Sequence, residues 1–350
     1  MQEALSDEEL EPLLQRVLEA DVYNEQLLAQ GISRIDAPFT REVSDAELLR
    51  YPSIAKLYKN EAYPAVTRLL QMVGMESLKM FVDELAELVE DCPDVHGRNL
   101  TNASIPNLSI ILSGKSGSGK STSARLYAAA LAELGFVGRD DRLYDTGGPA
   151  GLIERNLNAS VPNLLAILDK HRVVFIDEAD GLARNNEITG KEEQAVLNAL
   201  VARMDGGSDP TGKPARRKPI VILAIYDTAV DKLLRCNQGL RRRFTTLHLE
   251  AHDTPERLVI ARAMLQRLGY VMDEKTFVKT MGVVLRTTVD RVEEKVKEAI
   301  RRKKARVRAM GQDVPLVDRL KLEEVDFGKA IEKQLTLWLR RATGRRDALV

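Results

Sequence analysis

Cysteine is scarce. Cys92 and Cys236 are the only two in 350 residues, too few and too far apart in sequence for a disulfide framework, which fits a reducing compartment. Long apolar runs are missing as well. No stretch is long enough to cross a bilayer, and the segment from Met1 to Glu9 lacks the basic start and apolar centre of a signal peptide, so a cytoplasmic protein without a membrane span is expected. Neither charge is in excess: 52 Lys and Arg balance 52 Asp and Glu, which leaves no global field to attract nucleic acid or a membrane surface. Any such surface has to be local. There is no internal repeat and no low-complexity tract. What remains, 44% hydrophobic and 30% charged residues, is the composition of a globular chain long enough for two or three domains.

The most informative run lies between Leu108 and Ser121. Its apolar start, Ile110 to Leu112, reads as a short strand, and Ala124, Leu126, Ala128 and Leu131 suit a helix ending near Gly135. Between them Gly114, Gly119, Lys120 and Ser121 satisfy G-x-x-x-x-G-K-S/T, with Gly117 as a further glycine. Such a loop curls around a triphosphate because glycines let its N–H groups turn inward. Residues Lys115, Ser116 and Ser118 complete the loop, and the backbone donors together with the helix start receive the anion. Lys120 is the type that reaches the terminal phosphates of ATP, and the Ser121 hydroxyl the type that ligates the bridging Mg2+. Thr122 follows as a neighbouring candidate contact with no separate role.

A second segment adds hydrolysis. Val173 to Ile176 reads as a buried strand that delivers Asp177 and Glu178 to its carboxyl end, where open parallel sheets bind ligands. Asp177 is expected to hold magnesium through water, and Glu178 to orient and polarise the attacking water. Read alone, these acids would cap the next helix; beside the phosphate loop the catalytic reading takes precedence. The letters from Asp177 to Asp180 match the helicase tetrad Asp-Glu-Ala-Asp, but the other helicase signatures are not evident.

Around this core the chain divides into three. Residues 1–72 read as helical and polar, with apolar spacing at Leu10, Leu13, Leu14, Val17 and Leu18, and form either an interaction region or a brace. Residues 73–248 read as an α/β domain: Val73-Gly74-Met75 precedes a helix carrying Leu78, Phe81, Val82, Leu85, Leu88 and Val89, and strands follow near 108–113, 142–145, 173–176 and 220–225. The Gly-, Pro- and charge-rich run from Gly206 to Lys218 is expected to be a mobile surface loop, with substrate contact as the sharper alternative. Residues 249–350 read as helical. Thr254 and Pro255 open one helix that reaches Gly269, and a long basic helix spans about 288–309. Its cluster from Arg301 to Arg308 is balanced by Glu293, Glu294 and Glu298, and with no interleaved aromatics a solvated face is preferred over a nucleic-acid contact.

The order of phosphate loop, Asp-Glu strand, further strand and helical lid resembles the AAA+ ATPases. Within them, the stretches Val73–Lys79, Gly114–Ser121, Phe175–Ala179, Val221–Tyr226 and Asn237–Phe244 resemble the subfamily of red-type rubisco activase and stage V sporulation protein K, a likeness spanning roughly the last four fifths of the chain. The resemblance implies a P-loop AAA+ three-layer αβα domain with a parallel central sheet, preceded by a helical region and followed by an α-helical lid. It implies a Mg-dependent ATPase working as a homo-oligomeric, typically hexameric, ring that remodels a protein partner. Val73 and Gly74, which open the matching stretch, are carried over as nucleotide contacts. Arg243 takes the place of an arginine finger reaching the neighbouring subunit's ATP, with Arg241 as second candidate; a guanidinium in trans would make hydrolysis depend on assembly.

The pattern departs from the family in three places. Tyr226-Asp227-Thr228 replaces the usual Thr-Asn after the strand, leaving Asp227 or Thr228 as the sensor of the last phosphate. The lid arginine has two candidates, Arg286 and Arg291. Where relatives carry an aromatic pore motif, this chain has Gly151 to Asn156, so Leu152 and Ile153 either grip a threaded chain weakly or the pore does not thread protein. Two other readings stand beside the remodelling motor: a nucleic-acid-associated ATPase using the basic helix or the 213–218 loop, and a scaffold whose assembly ATP binding alone controls. Intact Lys120, Ser121, Asp177 and Glu178 speak against the scaffold.

Overall fold

The computed structural model describes residues 43–91, 107–153, 157–183, 190–205, 218–252 and 289–310, with a few isolated positions besides. They fall into two compact units, one spanning Glu42–Ala251 and one holding the described residues from His252 onward.

The first unit is built on five parallel strands, β1 (Ile110–Gly114), β2 (Leu143–Asp145), β3 (Val173–Ile176), β4 (Ile220–Ile225) and β5 (Thr245–Leu249), in the order β2-β3-β4-β1-β5. Side chains alternate across a strand, so the central strands β1, β3 and β4 each feed two cores. Ile110 and Leu112, Val173 and Phe175, Ile220, Ile222 and Ala224, and Leu247 and Leu249 belong to one. Ile111, Val174, Ile176, Val221, Leu223 and Ile225 belong to the other. Strands β1, β3 and β4 are buried throughout; β3 and β4 are unbroken apolar runs, and β1 is apolar as far as Leu112. The first core is closed by helices numbered here in chain order: α4 (Glu76–Asp91) contributes Leu78, Val82 and Leu85, and α5 (Lys120–Glu133) contributes Ala124, Tyr127 and Leu131. The second is closed by α6 (Leu157–Lys170), α7 (Gly190–Met204) and α8 (Asp227–Cys236), through residues such as Leu164, Leu200 and Leu233. The result is the expected three-layer αβα sandwich.

The short helices α1 (Asp45–Leu48), α2 (Pro52–Lys56) and α3 (Pro64–Gln71) pack into the first core through Tyr51, Ile54, Val66, Leu69 and Leu70. No break in packing accompanies the expected boundary at residue 72; residues 43–71 brace the sheet's first face. Helices α2 and α3 start with proline and have no side-chain cap of their own. Their free N–H groups are taken by carboxylates from elsewhere. Asp83 on α4 accepts from Ser53 and Ile54 N–H at 2.8 Å each, and Glu133 on α5 accepts from Ala65 and Val66 N–H at 2.6 and 3.0 Å. Burial pushes both carboxyls above their ordinary range, against the opposing pull of these N–H groups.

In the second unit the basic helix is α9 (Val289–Met310). It buries Val296, Ala299, Ile300 and Lys303, while Arg302 pairs with Glu298 one turn back. Arg291 falls within α9. The leucine spacing at 10–18, most of the 254–269 helix, Arg286 and the 206–217 loop lie outside the described residues, among which no helix is long and apolar enough to cross a membrane.

Candidate phosphate-binding site

The carboxyl ends of β1, β3 and β4 carry the predicted residues. Strand β1 runs into Gly114, the loop turns through Gly117 and Gly119 at φ +75° and +87°, and α5 starts at Lys120. A Cβ on Gly114 would lie 2.4 Å from Ser118 Oγ and 2.6 Å from the Leu249 carbonyl oxygen, so close approach alone demands glycine there. Lys120 Nζ folds back over the loop, donating to the carbonyls of Gly114 and Lys115 at 2.8 Å each, and stands 4.7 Å from the centre of the Tyr226 ring. Ser118 is buried, and its hydroxyl has no hydrogen-bond partner among the described residues. The Val73-Gly74-Met75 segment adjoins the start of α5: Ser123 Oγ donates to Met75 Sδ at 3.3 Å, and a Cβ on Gly119 would meet Met75 Cε at 2.7 Å.

The two acids part at the end of β3. Asp177 Oδ2 accepts from Ser121 Oγ at 2.7 Å, which joins β3 to the first turn of α5, and its Oδ1 accepts from the Glu178 N–H at 2.9 Å. Glu178 itself is exposed and sits in the left-handed region at φ +49°, a conformation that a non-glycine residue adopts only when its surroundings hold it there. The backbone thus turns one carboxylate into the loop and the other outward from it.

At the end of β4, Tyr226 precedes Asp227, the first residue of α8. Asp227 Oδ1 lies 3.0 Å from His248 Nδ1, while Thr228 is exposed. Tyr226, His248 and Met75 are site neighbours that local sequence did not reveal, since only the sheet register and the fold of the 73–75 segment bring them there.

The arginine run is anchored on α7. Asn237 Oδ1 accepts from Gly239 N–H at 2.8 Å, its amide donates to Asn198 Oδ1 at 2.8 Å, and Leu240 and Phe244 are core. Arg243 makes a two-pronged pair with Asp205, with Nε donating to Oδ1 at 2.8 Å and Nη2 to Oδ2, and a third bond to the Gly239 carbonyl at 2.6 Å. That pairing holds the Asp205 carboxyl below its ordinary value. Arg243 is therefore tied into its own chain with its side chain 16% exposed, whereas Arg241 is exposed. Leu152, offered with Ile153 as a weak pore grip unless the pore threads no protein, is fully buried in the second core, and Ile153 packs partly against it after the turn through Pro149–Gly151. The remaining residues of that motif, 154–156, lie outside the described set.

Residues 110–247 match the family model "ATPase family associated with various cellular activities (AAA)". The chain carries an AAA domain. Over 162 residues, 45% of the chain, it is 33% identical to the ESX-1 secretion system protein EccA1 of Mycobacterium leprae, and over 216 residues, 60% of the chain, 28% identical to the ESX-3 secretion system protein EccA3 of Mycolicibacterium smegmatis. The matched stretch spans 27% and 33% of the length of those relatives. The crystal structure of the FIGL-1 AAA domain shares the fold, with a TM-score of 0.50 and 18% identity, covering 88% of this chain and 98% of that one. The AAA match runs from the start of β1 into β5 and takes in the phosphate loop, Asp177, Glu178 and the arginine run.

Proposed function

We propose that the protein is a magnesium-dependent ATPase that assembles as a homo-oligomeric ring, hexameric by analogy with its resemblance, and uses hydrolysis to remodel a protein partner in the cytoplasm. The observation that carries this reading is the Ser121–Asp177 hydrogen bond beside a lysine-covered glycine loop. It unites the two sequence motifs in one site. The residues fit ATP: Gly114 and Gly119 leave a backbone cradle that a Cβ would fill, Ser118 keeps an unused buried hydroxyl, and Lys120 lies over the loop. They also fit magnesium, for which Ser121 and Asp177 supply hard oxygen ligands. The ion, when bound, would offset phosphate charge during transfer.

In this reading Lys120 exchanges its two carbonyl partners for the terminal phosphates, and the loop N–H groups hold the remainder. Glu178, turned outward by its left-handed backbone, accepts the proton of the attacking water. Arg243, or the exposed Arg241, reaches the ATP of the neighbouring subunit. Asp227 or Thr228 senses the last phosphate, Val73 and Gly74 border the nucleotide, and residues beyond 249 form the lid with Arg286 or Arg291. The run from Asn237 to Phe244 supports placement near the red-type rubisco activase and stage V sporulation protein K group, and relatives named for secretion systems support a protein as partner.

Phosphate release and nucleotide titration test the reading. Lys120→Ala should abolish tight ATP binding with a normal thermal melt, and Glu178→Gln should bind ATP with magnesium yet turn it over very slowly. Unchanged affinity in the first, or near-normal release in the second, contradicts the assigned roles.

A further inference from the structure

Three strands deliver a serine, a histidine and an aspartate to one spot beside the phosphate loop. In the parallel register Ser113 of β1 is level with Ile225 of β4 on one side and with His248 of β5 on the other, so all three share a face, and Asp227 follows two residues after Ile225. His248 Nδ1 lies 3.2 Å from Ser113 Oγ and 3.0 Å from Asp227 Oδ1. Both contacts fall on the same ring nitrogen, so the trio is not a nucleophile relay, which would use both. Asp227 Oδ1 is shielded from solvent and, among the described residues, accepts no hydrogen bond, although His248 Nδ1 stands 3.0 Å from it.

The spot adjoins the anion site on two sides. Ser113 immediately precedes Gly114, and the ring of Tyr226, next to Asp227, already stands against the Lys120 ammonium. A carboxylate is ill suited to that place. It can only accept hydrogen bonds, and it repels the terminal phosphate across a short gap. An imidazole N–H turned onto Oδ1, which the 3.0 Å approach allows, would fix the carboxylate, and a protonated ring would also offset its charge.

We propose that His248 is a positioning residue of the nucleotide site, holding Asp227 through Nδ1 so that this aspartate tolerates and senses the terminal phosphate of ATP. The proposal rests on the ATPase reading. It makes His248 matter for ATP and not for ADP, because only ATP brings a phosphate to the Asp227 side. A residue that merely supports β5 would affect both nucleotides alike.

The test is titration of the full chain with a non-hydrolysable ATP analogue and with ADP, each with magnesium. His248→Ala should weaken the analogue about tenfold, as expected for one unshielded charge at partial solvent exposure, and ADP by less than about twofold. His248→Asn, whose amide can replace the Nδ1 donor, should retain most of the analogue affinity. Asp227→Asn removes the charge that His248 holds, so adding His248→Ala to it should cause no loss of analogue affinity beyond that of Asp227→Asn alone. Equal losses for the two nucleotides, or the same His248→Ala effect with Asp227→Asn present, overturn the proposal while leaving the ATPase reading standing. Wild-type protein that binds neither nucleotide overturns both.

Discussion

Replacing Gly114 by alanine should disable the nucleotide site through collision rather than through backbone conformation. The added methyl would sit 2.4 Å from Ser118 Oγ and 2.6 Å from the Leu249 carbonyl oxygen. The hydroxyl can rotate away, but the carbonyl belongs to a β5 residue paired in register with Gly114 and buried in the first core, so it cannot retreat without moving the strand. Overpacking of this kind costs about 1–3 kcal/mol. For a unit of this size a central figure of about 2 kcal/mol lowers the melting temperature by about 4–8 °C. Because the strain falls on the first residue of the loop, its inward N–H groups shift with it, and affinity for a fluorescent ATP analogue should fall at least about tenfold. Gly119→Ala provides the contrast. Its methyl meets only the movable end of Met75, and the loss comes from φ +87°, at about 1–2 kcal/mol. Adding Ser118→Gly to Gly114→Ala should recover only part of the melting temperature, since Leu249 remains in the way. A Gly114→Ala protein that melts within a degree of wild type and binds ATP normally would refute this account, and complete rescue by Ser118→Gly would refute the part assigned to β5.

Three further outcomes are expected. Asp205→Ala frees Arg243 from a pair whose acid is 57% exposed and therefore contributes about 0.5–1 kcal/mol; if Arg243 serves a neighbour, half-maximal hydrolysis per chain should occur at a roughly two- to fivefold lower protein concentration, and no shift would contradict a finger held in reserve. Mixing Arg243→Ala with Lys120→Ala subunits, each inactive alone, should restore partial phosphate release, and Arg241→Ala in the same assay decides which arginine acts; no recovery, together with concentration-independent hydrolysis by a monomer, would sink the ring. The raised carboxyl of Glu133 means that the folded protein keeps a proton which the unfolded chain has already lost, so stability falls as pH rises from the ordinary glutamate range to the raised value; thermal melts across that window should show this slope reduced in Glu133→Gln, and an unchanged slope would assign it to other groups.

Legibility followed how local the governing interaction is. Strands β1, β3 and β4 were readable because burial on both faces writes an apolar run into the sequence, and the loop between Gly114 and Lys120 because each residue type answers a local steric or chemical demand. The helices α2 and α3 were read only as part of a broad helical stretch, since their caps come from Asp83 and Glu133, up to 68 residues away. The meeting of Ser113 with His248 spans 135 residues and depends on β5 pairing beside β1, which no window of sequence displays. The arginine run could be located but not its partner, because Asp205 lies across a long connection on the end of α7. The burial of Leu152 was hidden for a related reason: an apolar pair in a turn does not state which side of the turn is inside.

Glu133 gives α5 two working ends. Its first turn carries Lys120 and Ser121 at the phosphate loop, and its last residue grips the start of α3, so one rod of 14 residues, about 21 Å long, joins that loop to the amino-terminal brace. A tilt of about 5° pivoting at the phosphate end displaces the far end by roughly 2 Å, more than a hydrogen bond tolerates without its partner following. Under such a tilt the brace must travel with the helix or let go of it, which ties residues 43–71 mechanically to the phosphate loop.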